Sequence, residues 1–331
     1  MTTSEYTVKN LLSKSREFLE KKGINGNTRL DAELLLAHIL KLDRLKLFLN
    51  QDKVLSDADT NTYREYIVRR SKKEPVAYIL GFKDFLGLKF DVNRDVLIPR
   101  PETEELTAMI LQNYVPEEII QRRNDEQDKN KTGFQDGNLT GLQDGNLTGL
   151  QDLKNSNIIN VLDLCCGSGC IGVTLKKFRP SWNVCFIDKS ASALEITKKN
   201  YLKIICEGAF EAENRFFLSD LFADFPDINK ERIDIIVTNP PYIFNHEKST
   251  LADDIVKYEP HEALFLENPA ELLLKIIRDG IHYLKAGGEL YMEGTPELLS
   301  ELEQKSQALG YQDIQLIKDL CGKTRFLRLK K

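Results

Sequence analysis

No stretch of the 331-residue chain holds about eighteen consecutive apolar residues, the length that crosses a bilayer. The opening residues Met1-Thr2-Thr3-Ser4-Glu5 have none of the charge and apolar core of a secretory leader. No membrane association is expected, and the cytoplasm is the expected compartment. An excess of positive charge is missing too: 46 Lys and Arg against 51 Asp and Glu leave a formal charge of -5. A protein that lives on nucleic acid usually carries a basic footprint, so no direct nucleic-acid partner is expected. The local run Arg69-Arg70-Ser71-Lys72-Lys73 reads as the solvated end of a helix, where the dipole favours cations. Histidine is scarce, with four in all, and the six cysteines form no Cys-x-x-Cys pair. Cys165, Cys166 and Cys170 crowd one loop with no histidine near them in sequence, so neither a zinc site nor any other metal is expected. Reduced, buried, small apolar residues is the better account of them.

What is present suggests two domains. The first eighty residues read as helices, with helical apolar spacing over Tyr6 to Lys21, Leu30 to Leu40 and Asp57 to Lys72. His38, among leucines, is expected to be a satisfied core or boundary residue. Residues 81–98 shift to short β-prone runs broken by glycine and read as a hairpin linking the two domains. Pro99-Arg100-Pro101-Glu102-Thr103-Glu104 then opens a helix to about Tyr114, with proline and acids in its first turn. Residues 116–156 differ in kind: Gln135 to Leu142 is repeated at once as Gln143 to Leu150, polar and rich in glycine and asparagine. Two short units cannot build a solenoid, and a flexible insertion without chemistry is expected.

From Asn157 onward apolar strands alternate with helices. That pattern predicts a mostly parallel α/β sheet with helices on both faces, a Rossmann-like arrangement over residues 99–331. Ligands in such folds bind outside the carboxyl ends of the strands, at the topological switch point. After the first strand comes Asp163-Leu164-Cys165-Cys166-Gly167-Ser168-Gly169-Cys170-Ile171-Gly172. Its glycines let backbone approach a ligand and turn into a helix. A lone Gly-x-Gly-x-x-Gly match is weak evidence for a dinucleotide site. Asp163 before the loop, Asp188 at the end of the second strand and Asp220 at the end of the third make it stronger. Asp188 suits two ribose hydroxyls, which NAD and S-adenosylmethionine share, and Asp220 lies where an adenine amino group would come. Only S-adenosylmethionine brings an ammonium group for Asp163, so it is the expected cofactor.

The fourth strand, Ile233 to Val237, runs into Thr238-Asn239-Pro240-Pro241-Tyr242-Ile243. Two prolines cannot continue a ladder, so the strand stops there. An NH2 group conjugated to a π-system hides its lone pair in the plane of delocalisation. Two acceptors on its N–H groups can turn that lone pair toward a methyl donor. The Asn239 side-chain oxygen and the Pro240 carbonyl are candidates for those acceptors, and the Tyr242 ring for stacking on a flat substrate.

With these segments on view, the chain resembles the release factor glutamine methyltransferases, which methylate the glutamine of the Gly-Gly-Gln tip of peptide chain release factors. The resemblance rests on Asp31 to Leu36, Glu74 to Gly81, Val96 to Glu104, Asn239 to Ile243 and Tyr258 to Leu264, and spans nearly everything but the repeat insertion. Asn-Pro-Pro-Tyr is shared with methyltransferases of adenine, guanine and other amino groups, so it indicates chemistry. The Pro-Arg-Pro-Glu-Thr-Glu stretch and the helical front end indicate substrate. The resemblance implies cofactor contacts from Cys165, Cys166, Gly167, Ser168, Gly169, Asp188, Asp220 and Leu221, together with Asp163 and Asn239. It implies substrate binding by Asn239, Pro240, Pro241 and Tyr242, with Asn239 and Pro240 catalytic. It also implies that the helical domain (residues 1–80) and the hairpin help engage a release factor. Two departures stand out: Cys165 replaces a loop glycine, and Leu221 replaces an aromatic ring. The rival reading is an amino methyltransferase of DNA or RNA bases, with a dehydrogenase or a non-catalytic binding module behind it. A monomer is the default expectation.

Overall fold

The computed structural model describes residues 6–24, 26–114, 158–205 and 215–331. The repeat insertion expected at 116–156 and Cys206 lie outside them. The chain divides into two compact units, one of Met1–Phe82 with Val92–Asp95 and His246–His261, the other of Lys83–Asp91, Val96–Asn245 and Glu262–Lys331.

The first unit is helical: α1 Val8–Lys21, α2 Thr28–Leu40, α3 Arg44–Leu49, α4 Asp57–Ser71 and α5 Val76–Leu80. Each of the first four starts on a residue whose side chain accepts a backbone N–H of the first turn: Thr7, Asn27, Asp43 and Ser56. Leu19, Leu35, Leu36 and Tyr63 are buried at its centre. The buried Arg70 donates to Asp31 at 2.7 Å and to the Glu74 carbonyl at 3.2 Å, which keeps a desolvated cation paired. His38 is exposed, not in the core, with its ring 5.5 Å from that of Phe82.

The second unit takes up the hairpin β1 Phe82–Phe85 and β2 Leu88–Asp91 from Lys83 onward, followed by α6 Pro101–Asn113. Seven strands make its central sheet: β3 Asn160–Leu164, β4 Asn183–Asp188, β5 Phe216–Leu218, β6 Ile233–Thr238, β9 Leu284–Glu293, β10 Asp313–Lys318 and β11 Thr324–Lys330. Between β6 and β9 the two-residue strands β7 Ile243–Phe244 and β8 Phe265–Leu266 pair with each other. The sheet order is β10-β11-β9-β6-β3-β4-β5, and only β11 runs against the rest. This is the expected Rossmann-like sheet, with its switch point between β3 and β6.

Helices cover both faces because neighbouring strand residues point opposite ways. Val161, Phe186, Ile235 and Val237 join one cluster with α6, α7 Cys170–Phe178 and α8 Ala191–Ile205. Leu162, Ile187 and Ile236 join another with α10 Pro269–Gly280 and α11 Pro296–Ser306. The remaining helix, α9 Asp253–Tyr258, belongs to the first unit. All six residues of β6 are buried, as a central strand covered on both sides requires. Among the described residues no helix is long and apolar enough to cross a membrane, and no group of three metal-ligating side chains occurs.

Candidate active site

Strand register brings the candidate residues together. Leu164 pairs with Ile187 on one side and with Thr238 on the other, and Thr238 pairs with Met292. The next residue on each strand is therefore level with its neighbours: Asp188 on β4, Cys165 after β3, Asn239 after β6 and Glu293 on β9. Parity orders them further. Phe186, Val237 and Tyr291, two residues before Asp188, Asn239 and Glu293, all lie in the cluster under α6 to α8. Those three polar side chains share that face with Asp163, two residues after Val161.

The loop after β3 is shaped by left-handed backbone at Cys165, Gly167 and Gly169, with φ of 60°, 55° and 75°. Cys165 thus adopts the conformation that a glycine would take most easily, and its side chain bears the strain. Gly172, on the first turn of α7, is required by space: a Cβ there would sit 2.5 Å from the Phe186 ring and 2.9 Å from Asp163 Oδ2. Its bare N–H instead donates to Asp163 Oδ2 at 2.8 Å. Asp163 is fully buried, and its Oδ1 has no hydrogen-bond partner. Burial, then, pushes its pKa well above the usual carboxylate range. Asp188 accepts Gly167 N–H at 2.8 Å on one oxygen and Ser190 N–H at 2.9 Å on the other, so it braces the loop. Desolvation raises its pKa as well.

Ser168 is buried and Cys166 Sγ lies 3.4 Å from Thr197 Oγ1. Burial raises the thiols of Cys165, Cys166 and Cys170 far above their ordinary value, so none is a ready nucleophile. Asp220 lies two residues past the end of β5 and is exposed. Leu221 has φ 55° and packs into the cluster beneath α10 and α11.

At the end of β6, Pro240 and Pro241 are buried and flanked by the half-buried Asn239 and Tyr242. Asn239 Nδ2 donates to Thr103 Oγ1 at 3.0 Å. Thr103, on the first turn of α6, donates in turn to Glu293 Oε2 at 2.8 Å, and the Tyr242 hydroxyl donates to Glu293 Oε1 at 2.9 Å. Glu293 is almost wholly buried, and desolvation raises its pKa. The arrangement holds Asn239 by its NH2 end and leaves its carbonyl oxygen turned away from Thr103. Chemically that is an acceptor beside a backbone carbonyl, at a rigid strand end, level with a glycine loop.

Residues 10–81 match the PrmC N-terminal domain family, and residues 141–265 match the methyltransferase small domain family. Over 319 residues the chain is 41% identical to the release factor glutamine methyltransferase of Leptospira interrogans, spanning 96% of each chain. It is 32% identical over 332 residues to the protein of that name from Rhodopirellula baltica, covering 98% and 97% of the two chains. The protein of that name from Clostridium botulinum is 30% identical over 325 residues, covering 98% and 99%. The chain belongs to the release factor glutamine methyltransferase family.

In this methyltransferase the sequence reading missed Thr103 and Glu293 as members of the site. Thr103 was visible only as part of a helix start and a family segment. Glu293 did carry a signal: it is an acid ending a buried apolar strand, the same feature that singled out Asp188. Applying that rule to every strand of the sheet would have found it.

Proposed function

We propose that this enzyme transfers the methyl group of S-adenosylmethionine to the side-chain amide nitrogen of the glutamine in the Gly-Gly-Gln motif of peptide chain release factors. One observation carries the reading. Relatives named for a release factor glutamine match along the whole chain, helical unit included, whereas an Asn-Pro-Pro-Tyr clamp alone indicates only an amino acceptor.

The residues present fit the cofactor. Asp163 keeps one buried, unpartnered carboxylate oxygen, which suits an ammonium group. Left-handed backbone at Gly167 and Gly169 shapes the loop between Cys165 and Gly169 at the sheet's switch point. Asp188 uses one lone pair on each oxygen for the loop and retains others for ribose hydroxyls. Asp220 and Leu221 flank the same end of the sheet and complete the cofactor set. When bound, S-adenosylmethionine supplies an electrophilic sulfonium methyl group.

The chain's own residues do the rest by positioning. Asn239 Oδ1 and the Pro240 carbonyl accept the two N–H groups of the glutamine amide. Held so, the nitrogen turns its lone pair out of the amide plane. Pro240 and Pro241 stiffen the carbonyl, and the Tyr242 ring, tied through its hydroxyl to Glu293, offers a flat face to the amide. The two acceptors also stabilise the positive charge that grows on nitrogen, a contribution that is largest in a site with little water. After transfer the methylated amide is a strong acid and sheds its extra proton to water, so no general base is required.

Incubation with labelled S-adenosylmethionine, a release factor and nucleic acid tests the proposal. Methyl on the tip glutamine, located by peptide mass spectrometry, is the expected result. Label on nucleic acid alone would overturn it in favour of a base methyltransferase.

A further inference from the structure

We propose that Thr103 and Glu293 are positioning residues of the methyl-transfer site, which act through a hydrogen-bond relay to fix which end of the Asn239 amide faces the substrate. The inference rests on the functional reading above, in which Asn239 must present its oxygen.

The relay follows from counting protons. As a carboxylate Glu293 offers only acceptors, so the two hydroxyls that face its buried oxygens both donate to it. Thr103 has one hydroxyl proton and gives it to Glu293 Oε2 at 2.8 Å. Nothing remains on Thr103 Oγ1 but lone pairs, so at 3.0 Å from Asn239 it can only accept. An amide oxygen in that place would face lone pair against lone pair. Asn239 is therefore held with NH2 toward Thr103 and Oδ1 away, and among the described residues no donor occupies Oδ1. The second arm of the same carboxylate fixes the Tyr242 hydroxyl. One buried acid thereby sets the orientation of both side chains of the clamp. The three elements that supply the relay lie far apart in sequence, Thr103 on α6, Asn239 after β6 and Glu293 on β9, all within the second unit.

A merely structural tie between α6 and β9 would tolerate any side chain of the same shape. The relay does not, because it depends on hydroxyl polarity. Thr103→Val keeps the shape and removes the hydroxyl, so Asn239 is free to flip. We expect kcat to fall about 10- to 100-fold, while KM for the release factor and Kd for S-adenosylmethionine stay within about threefold. Thr103→Ser should recover all but about threefold of the loss. Should Thr103→Val not fold, Glu293→Leu gives the same test: it removes both acceptors, frees the Thr103 hydroxyl proton to turn toward Asn239, and should lower kcat with the same split. Unchanged kcat in a folded Thr103→Val or Glu293→Leu variant, or no recovery in Thr103→Ser, overturns the relay.

A second measurement is independent of the substrate. With asparagine-selective 15N labelling, one Asn239 side-chain N–H should be protected from exchange in the wild type and in Thr103→Ser, and lose protection in Thr103→Val. An unprotected amide in the wild type sinks the relay even if the substrate assignment holds. A protected one sustains it even if release factors prove not to be the substrate.

Discussion

Replacing Asn239 by alanine tests the clamp most directly, because the structure separates the two jobs of this side chain. Its NH2 end makes one hydrogen bond, to Thr103 at 3.0 Å, and its oxygen end, turned away from Thr103, would accept from the substrate under the proposed function. Losing the first costs stability, about 0.5–1.5 kcal/mol for one net hydrogen bond. Thr103 is not orphaned by the change, since it still donates to Glu293 at 2.8 Å. A catalytic unit of this size should then lose about 2–4 °C in Tm. The loss of the oxygen is the larger effect. It removes a preorganised acceptor that acts only as charge develops on nitrogen, and removing one such group costs about 10²–10³ in kcat. Asp163 and Asp188 are untouched, so Kd for S-adenosylmethionine should stay within about threefold.

Asn239→Asp sharpens the test. The variant keeps an oxygen toward the substrate but turns a second one on Thr103 Oγ1, whose only proton is engaged by Glu293. It also brings another carboxylate beside a buried one, so it should be no more active than alanine and less stable. Single-turnover transfer to a release factor, calorimetric titration with the cofactor and thermal melts measure all three quantities. A folded Asn239→Ala protein within tenfold of the wild-type kcat would refute the argument.

Two further outcomes follow from the loop after β3. Burial raises the Asp163 pKa, yet only the ionised carboxylate pairs with an ammonium group. Cofactor affinity should therefore be full above that raised pKa and fall as pH drops through it, by up to tenfold per pH unit. The ligand-free fold should slope the other way, losing stability as pH rises through the same window, because the folded state binds the extra proton. Titrations across pH on wild type and Asp163→Asn isolate the group; identical slopes in both would count against it. Gly172→Ala should lower stability by about 1–3 kcal/mol, since its Cβ would meet the Phe186 ring at 2.5 Å and Asp163 Oδ2 at 2.9 Å. Cofactor binding should weaken with it, and a thermal melt matching wild type would refute the packing argument.

Much of this was legible in the sequence because it depends on period and on strand ends. The run Ile233 to Val237 read as a buried strand, and the structure buries all six residues of β6. Asp163 and Asp188 were marked by their places beside a glycine loop, and both turn out to brace it. The short helices α3 and α5, of six and five residues, escaped because so few residues cannot display a helical period. The boundary between α10, which stops at Gly280, and β9, which begins at Leu284, is masked in another way. An apolar stretch continuous across a helix end and a strand start hides the joint. The pairing of Thr103 with Glu293 was hidden for a stronger reason. The two stand 190 positions apart, and nothing local to either one points to the other.

What joins them is the register of β9, and that register is set at the opposite end of the strand. Ile233 pairs with Leu284, but Ile235 pairs with Glu289, so β9 spends five residues where β6 spends two. The surplus passes through Lys285-Ala286-Gly287-Gly288. Gly287 has φ 77°, and a Cβ on Gly288 would sit 2.9 Å from the Ile233 carbonyl oxygen, so both glycines are needed for the bulge to fit. Beyond it the pairing is regular from Ile235–Glu289 to Thr238–Met292. Were the bulge one residue longer or shorter, every later side chain of β9 would change face. Tyr291 would leave the cluster under α6, and Glu293 would point away from Thr103 and Tyr242. The orientation of the Asn239 amide thus depends on two glycines at the far end of a strand. That dependence explains why the clamp residues alone do not make the site: they need a neighbouring strand held in phase to supply the acid that aims them.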